Sequence, residues 1–91
     1  MDQTKKTSRK RINFKVNTEN GKKVCLAGSF NSWDQEKNRL KYRDGLYTSS
    51  LLLSPGRHEY KYVVDGEWLE DPESPESVPN AFGTRNSVVT V

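Results

Sequence analysis

With 91 residues the chain is long enough for one domain and one modest core, and short enough that folding hides only roughly 60 to 65% of the surface of the unfolded chain. Hydrophobic residues make up 32% and charged residues 30%, but nine aromatics are present, a composition that suits aromatic-rich strands and argues against a helical bundle, which needs more Leu and Ala. The net charge of +3 is uneven: Lys5, Lys6, Arg9, Lys10 and Arg11 against Asp2 give the first eleven residues +4, so the remaining body stands at −1 and lacks the basic folded face of a nucleic-acid-binding domain.

Residues 1–10, rich in Lys, Ser, Thr and Arg, are expected to form a flexible basic tail ahead of a single folded domain over residues 11–91. No apolar run follows this tail, and no stretch reaches the ~20 apolar residues of a membrane span, so a cytoplasmic protein away from membranes is expected. "RINFKVN" alternates Ile12, Phe14 and Val16 with polar residues and is predicted as a half-buried strand ending at the turn "TENG". "KKVCLAGSF" sets Val24, Leu26 and Phe30 on one face. Cys25, opposite in phase, is expected to be semi-exposed, and as the only cysteine it forms neither an internal disulfide nor a Cys-based zinc site. "NSWDQEKN" then carries Trp33 among small polar and charged neighbours, with no apolar period around it.

In "DGLYTSSLLL", Tyr47, Ser49, Leu51 and Leu53 share one side of the next strand. "RHEYKYVVDGEWLE" is predicted as a hairpin about Asp65-Gly66, which pairs Val64 with Glu67, Val63 with Trp68, Tyr62 with Leu69 and Lys61 with Glu70. Alternation sends Tyr60, Tyr62, Val64 and Leu69 inward and leaves Trp68 outward, diagonal to Lys61. The three prolines of residues 71–84 confine that segment to an ordered loop or an edge crossing, before a last strand in "NSVVTV". Short strands with turns every 8 to 15 residues, and no sustained helical period, define an all-β chain: an immunoglobulin-like antiparallel β-sandwich.

Two outward tryptophans with a lysine would make a sugar platform. The flat C–H faces of a pyranose pack on an aromatic ring while its rim hydroxyls need donors and acceptors. The residues alone leave a plainer alternative for each ring: a cross-strand pair with Val63 for Trp68, and a cap folded back over the core for Trp33.

Three separated motifs, "VCLAGSFNSWD", "DGLYTSSLLLSPGRHEYKYVVDGEWLEDP" and "VPNAFGTRNSVVTV", occur in an order that resembles carbohydrate-binding module family 48, the isoamylase early-set domains. That group includes the glycogen-binding domain of the AMP-activated protein kinase β-subunit. The resemblance covers residues 11–91 and implies that Trp33 and Trp68 stack on glucose units of an α-1,4-glucan, glycogen, starch or a maltooligosaccharide. It further implies that Lys61 and Asn86 hydrogen-bond the sugar and that Thr84 is a neighbouring contact residue. Phe82 stands where kinase-type members have a Leu reaching into the sugar arc. The chain looks like the small stand-alone bacterial members, with a glycogen-metabolising enzyme as the expected partner.

No enzyme is expected. His58 is the only histidine and suits a structural role near a strand start, while the acids fall in turns or the Pro-rich loop, Glu70, Asp71, Glu73 and Glu76 among them, without a shielded carboxylate pair. Nothing in the residues requires a cofactor. A protein-interaction surface built on the same tryptophans is the alternative, and nucleic acid is not expected as a partner because only the tail is basic.

Overall fold

The computed structural model describes residues 9–19 and 21–91; residues 1–8 of the expected basic tail lie outside the described residues. Among the described residues nine strands run in chain order: β1 Lys10–Val16, β2 Val24–Gly28, β3 Asn38–Arg39, β4 Lys41–Arg43, β5 Leu46–Leu53, β6 Arg57–Val64, β7 Glu67–Leu69, β8 Ser77–Pro79 and β9 Arg85–Thr90. They form an antiparallel sandwich of a three-stranded sheet, β1-β5-β4, and a second sheet, β3-β2-β6-β9-β8, with β7 pairing the far half of β6. None of its helical segments is long and apolar enough to cross a membrane among the described residues.

Alternation places the core. Phe14, Tyr47 and Leu53 from the first sheet meet Val24, Leu26, Tyr60, Tyr62 and Val64 from the second, each less than a tenth exposed. Burying such side chains contributes about 1.5–3 kcal/mol apiece. The core tyrosines keep their hydroxyls bonded. Tyr47 Oη accepts from the Lys22 amide at 2.9 Å and donates to its carbonyl at 3.0 Å. Tyr60 Oη donates to Asp71 Oδ2 at 2.6 Å, and Tyr62 Oη to the Lys15 carbonyl at 3.0 Å.

The Asp65-Gly66 turn has the predicted geometry: both residues adopt positive φ, 49° and 86°, the twist a two-residue hairpin requires. Val64 faces Glu67, Val63 faces Trp68 and Tyr62 faces Leu69 as expected, but the ladder stops at Leu69, so Lys61 and Glu70 do not pair. Leu69 is corrected too. It shares the inward side with Tyr62, yet it is 37% exposed, at the end of a short strand that lies off the main order of the sheet and pairs with β6 alone.

Four further expectations change. Strand β2 ends at Gly28, so Phe30 packs on the core from a 3-10 turn, Ser29–Asn31, rather than from the strand. Strands β3 and β4 were not predicted. Cys25 is buried, 2% exposed, because Trp33 folds onto the outer face of the sheet and covers it together with Ala27 and Val63. Asp71 does more than initiate a turn in the Pro-rich loop: while its Oδ1 accepts the Glu73 amide, its Oδ2 ties the segment to the core through the Tyr60 hydroxyl. Within that segment β8 forms the edge of the sheet, where Pro79 is tolerated.

Gly28 makes a close approach that only glycine permits. A Cβ there would stand 2.6 Å from the Glu59 carbonyl of the neighbouring strand and 2.7 Å from the Phe30 ring. Backbone on a central strand cannot yield cheaply, so Gly28→Ala is expected to lower stability by about 1–3 kcal/mol in urea unfolding. A midpoint equal to that of the wild type would contradict the contact.

Candidate functional site

An open cleft of about 800 Å³ lies on the outer face of the larger sheet, lined by Trp33, Glu59, Lys61, Trp68, Asn80, Ala81, Phe82, Thr84 and Asn86. Four stretches of chain build it: the turn after β2, the outward side of β6, β7, and the loop joining β8 to the start of β9.

Trp33 arrives by an unusual backbone. Ser32 and Trp33 both take left-handed φ values, 59° and 58°, a region that bulky residues rarely enter and that costs of order 1–3 kcal/mol per residue. Local bonds hold the turn. The Trp33 amide donates to the Gly28 carbonyl at 2.9 Å, and Asn31 accepts from the Gly28 amide at 3.0 Å and donates to the Leu26 carbonyl at 2.9 Å. The half-buried Trp33 ring then lies on Cys25, Ala27 and Val63 with its other side toward the cleft. The Trp68 ring, 38% exposed, stands 6.5 Å from it, centroid to centroid, the two planes inclined by 39°.

A chain of hydrogen bonds forms the polar floor. Lys61 Nζ donates to Thr84 Oγ1 at 2.9 Å, and Asn80 Nδ2 donates to the same oxygen at 2.8 Å and to Asn86 Oδ1 at 2.9 Å. Asn86 Nδ2 donates in turn to Glu59 Oε1 at 3.0 Å. Asn80 Oδ1 accepts the Phe82 and Thr84 amides at 2.9 and 3.2 Å, so one side chain shapes the loop and orients the network. Lys61 is only 7% exposed, and among the described residues its ammonium makes no ion pair. A buried cation with donors to spare favours a ligand rich in oxygen. Above the floor the Phe82 side chain is 89% exposed.

The structure thus brings Trp33, Lys61, Trp68, Phe82, Thr84 and Asn86 around one cleft, and adds Glu59, Asn80 and Ala81, which sequence reasoning did not single out. His58 is elsewhere: its Nε2 donates to the Ser54 carbonyl at 2.8 Å beside the Phe30 ring. Among the described residues, no group of three or more His, Cys, Asp or Glu side chains lies close enough together to hold a metal ion.

A β-sandwich with paired indoles over a hydrogen-bonding floor on one sheet face has the architecture of a sugar-recognition module. The chain belongs to the family described as the glycogen recognition site of AMP-activated protein kinase, whose model it matches over residues 11–91. It is 40% identical over 74 residues to the 5'-AMP-activated protein kinase subunit beta-1 of Sus scrofa, an alignment covering 81% of this chain and 58% of that protein. Over the same share of this chain it is 42% identical to the beta-1 subunit of Bos taurus and 38% identical to the beta-2 subunit of Homo sapiens, in each case over 26% of the relative. The chain therefore spans about a quarter of the length of those two curated relatives.

Proposed function

We propose that the cleft binds α-1,4-linked glucan, as glycogen, starch or maltodextrin, by stacking on Trp33 and Trp68 and by hydrogen bonds from the floor, without cleaving it. The observation that carries this reading is the pair of indoles meeting over a hydrogen-bonded floor. Their 39° inclination presents two facets rather than one flat wall. Successive units of an α-1,4 chain turn relative to each other, whereas a β-1,4 chain offers nearly coplanar faces, so the facets suit the α linkage.

The donor and acceptor inventory supports the same ligand. Thr84 Oγ1 already accepts two bonds, which leaves its own proton for a sugar oxygen, and Lys61 has spent one of three donors. Asn86 is bound at both ends of its amide, to Asn80 and to Glu59. Asn86 thereby keeps one N–H and one lone pair free, and the charged acceptor left on the floor is the second carboxylate oxygen of Glu59, which would accept a hydrogen bond from a sugar hydroxyl. Glu59 is the one carboxylate among the lining residues, whereas glycoside hydrolysis ordinarily employs two. Glu59→Gln keeps the shape and removes the charge, so glucan affinity should fall about fivefold, the worth of roughly 1 kcal/mol in a charge-assisted hydrogen bond. Unchanged affinity by isothermal titration would remove Glu59 from the ligand.

Both tryptophans of the chain line the cleft, so intrinsic fluorescence reports on it directly. Titration with maltoheptaose is expected to give a saturable change in emission and to return the oligosaccharide intact. A flat titration on folded protein would refute the proposal.

A further inference from the structure

The outer face of the three-stranded sheet carries a charge pattern that glucan binding does not use. Lys15 of β1 and Lys41 of β4 both pair with Thr48 of β5, so the three residues form one row across the sheet. With strands about 4.8 Å apart, the two lysines rise about 10 Å from each other. Two-residue alternation puts Arg11 of β1 and Arg43 of β4 on the same face, and Leu46, Ser50 and Leu52 of β5 run between these cations. All four cations are exposed. Strands β1, β4 and β5 contain no Asp or Glu, and among the described residues none of the four cations forms an ion pair.

Charges on edge strands such as β1 and β4 deter edge-to-edge pairing, but either sign achieves that. Four cations of one sign repel each other; salt screens the repulsion, and a partner of opposite charge turns it into attraction. We propose that this face is a docking surface for an acidic polypeptide segment of a partner protein, in which carboxylates alternate with apolar side chains. Charge complementarity sets the carboxylates against Lys15, Lys41, Arg11 and Arg43. The apolar positions fit the central row, where Leu46 is half-buried and Leu52 is 51% exposed. Nucleic acid fits less well, because phosphates make no use of the leucines. The face lies across the core from the cleft, so partner and glucan can be held together. This inference does not depend on the proposed function.

The test is fluorescence anisotropy of a fluorescein-labelled peptide alternating Glu and Leu, with the full chain in low-salt buffer. A single-stranded oligonucleotide and phosphatidylserine vesicles serve as competitors. Wild type should bind the peptide, and raised salt or the Lys15→Glu, Lys41→Glu double variant should weaken binding by about tenfold or more. Migration through glycogen should not change. The neutral Lys15→Gln, Lys41→Gln variant gives the same test with less perturbation should the charge reversal unfold the domain. Absent peptide binding by wild type, equal binding by a folded variant, or tighter binding of oligonucleotide or vesicles would each overturn the proposal.

Discussion

Trp68→Ala is expected to migrate through a native gel containing glycogen as it does through one without, while its circular dichroism spectrum and unfolding midpoint stay close to those of the wild type. Trp68 belongs to a short strand paired only with β6 and is more than a third exposed, so its removal deletes a stacking surface and little packing. A stacked ring supplies much of the contact area in a shallow cleft, so the expected loss is at least about tenfold in affinity. Trp33→Ala should abolish retardation as well, but with a second signature. Its ring covers Cys25, whose thiol pKa is raised by burial, and the wild-type thiol should therefore react slowly with a disulfide reagent at neutral pH. Without the indole, labelling should accelerate. Equal labelling rates would place the cover elsewhere.

The second large effect is alkaline. Tyr60 and Tyr62 are buried, and their phenol pKa values are pushed well above the ordinary range near 10, first by burial and then by the Asp71 carboxylate beside them. Above about pH 10 the unfolded chain releases these two protons while the fold retains them. The unfolded state then binds fewer protons, and stability must fall as pH rises; below that range these groups contribute no slope. Each tyrosine contributes about 1.4 kcal/mol per pH unit, so the pair removes about 5 kcal/mol between pH 10 and 12, comparable with the whole stability of a small domain. The double variant Tyr60→Phe, Tyr62→Phe should begin less stable at pH 8, having lost bonded hydroxyls, yet decline less steeply in melts across that range. Parallel declines would show that other groups govern the alkaline limit.

Period-two alternation and the Asp-Gly turn carry enough information to place the larger strands, the β6–β7 register and the outward side of Trp68. Strands β3 and β4 escaped because they offer only two and three residues, and Leu40, which joins the core between them, has at spacing two only Asn38 before it and the exposed Tyr42 after it. The burial of Cys25 and Val63 was illegible for another reason. It depends on a ring eight residues past Cys25 returning over the sheet through two left-handed residues, a path that no local pattern encodes. Within the cleft, aromatic and basic residues stood out against their surroundings, whereas Glu59 and Asn80 did not. An acid in mid-strand passes for a solvated charge, and Asn80 after a proline passes for a turn former, until the loop closes and joins both to Asn86. The fold is thus written in periodicity, and the polar floor only in the closure of distant segments.

Affinity electrophoresis in glycogen, with β-cyclodextrin as competitor, reads out whether this cleft holds α-glucan. Glucan binding in the cleft means retarded migration of the wild type that the cyclodextrin reverses, and no retardation of Trp68→Ala. Identical migration of folded wild-type protein with and without glycogen, or retardation that Trp68→Ala retains in full, would contradict it.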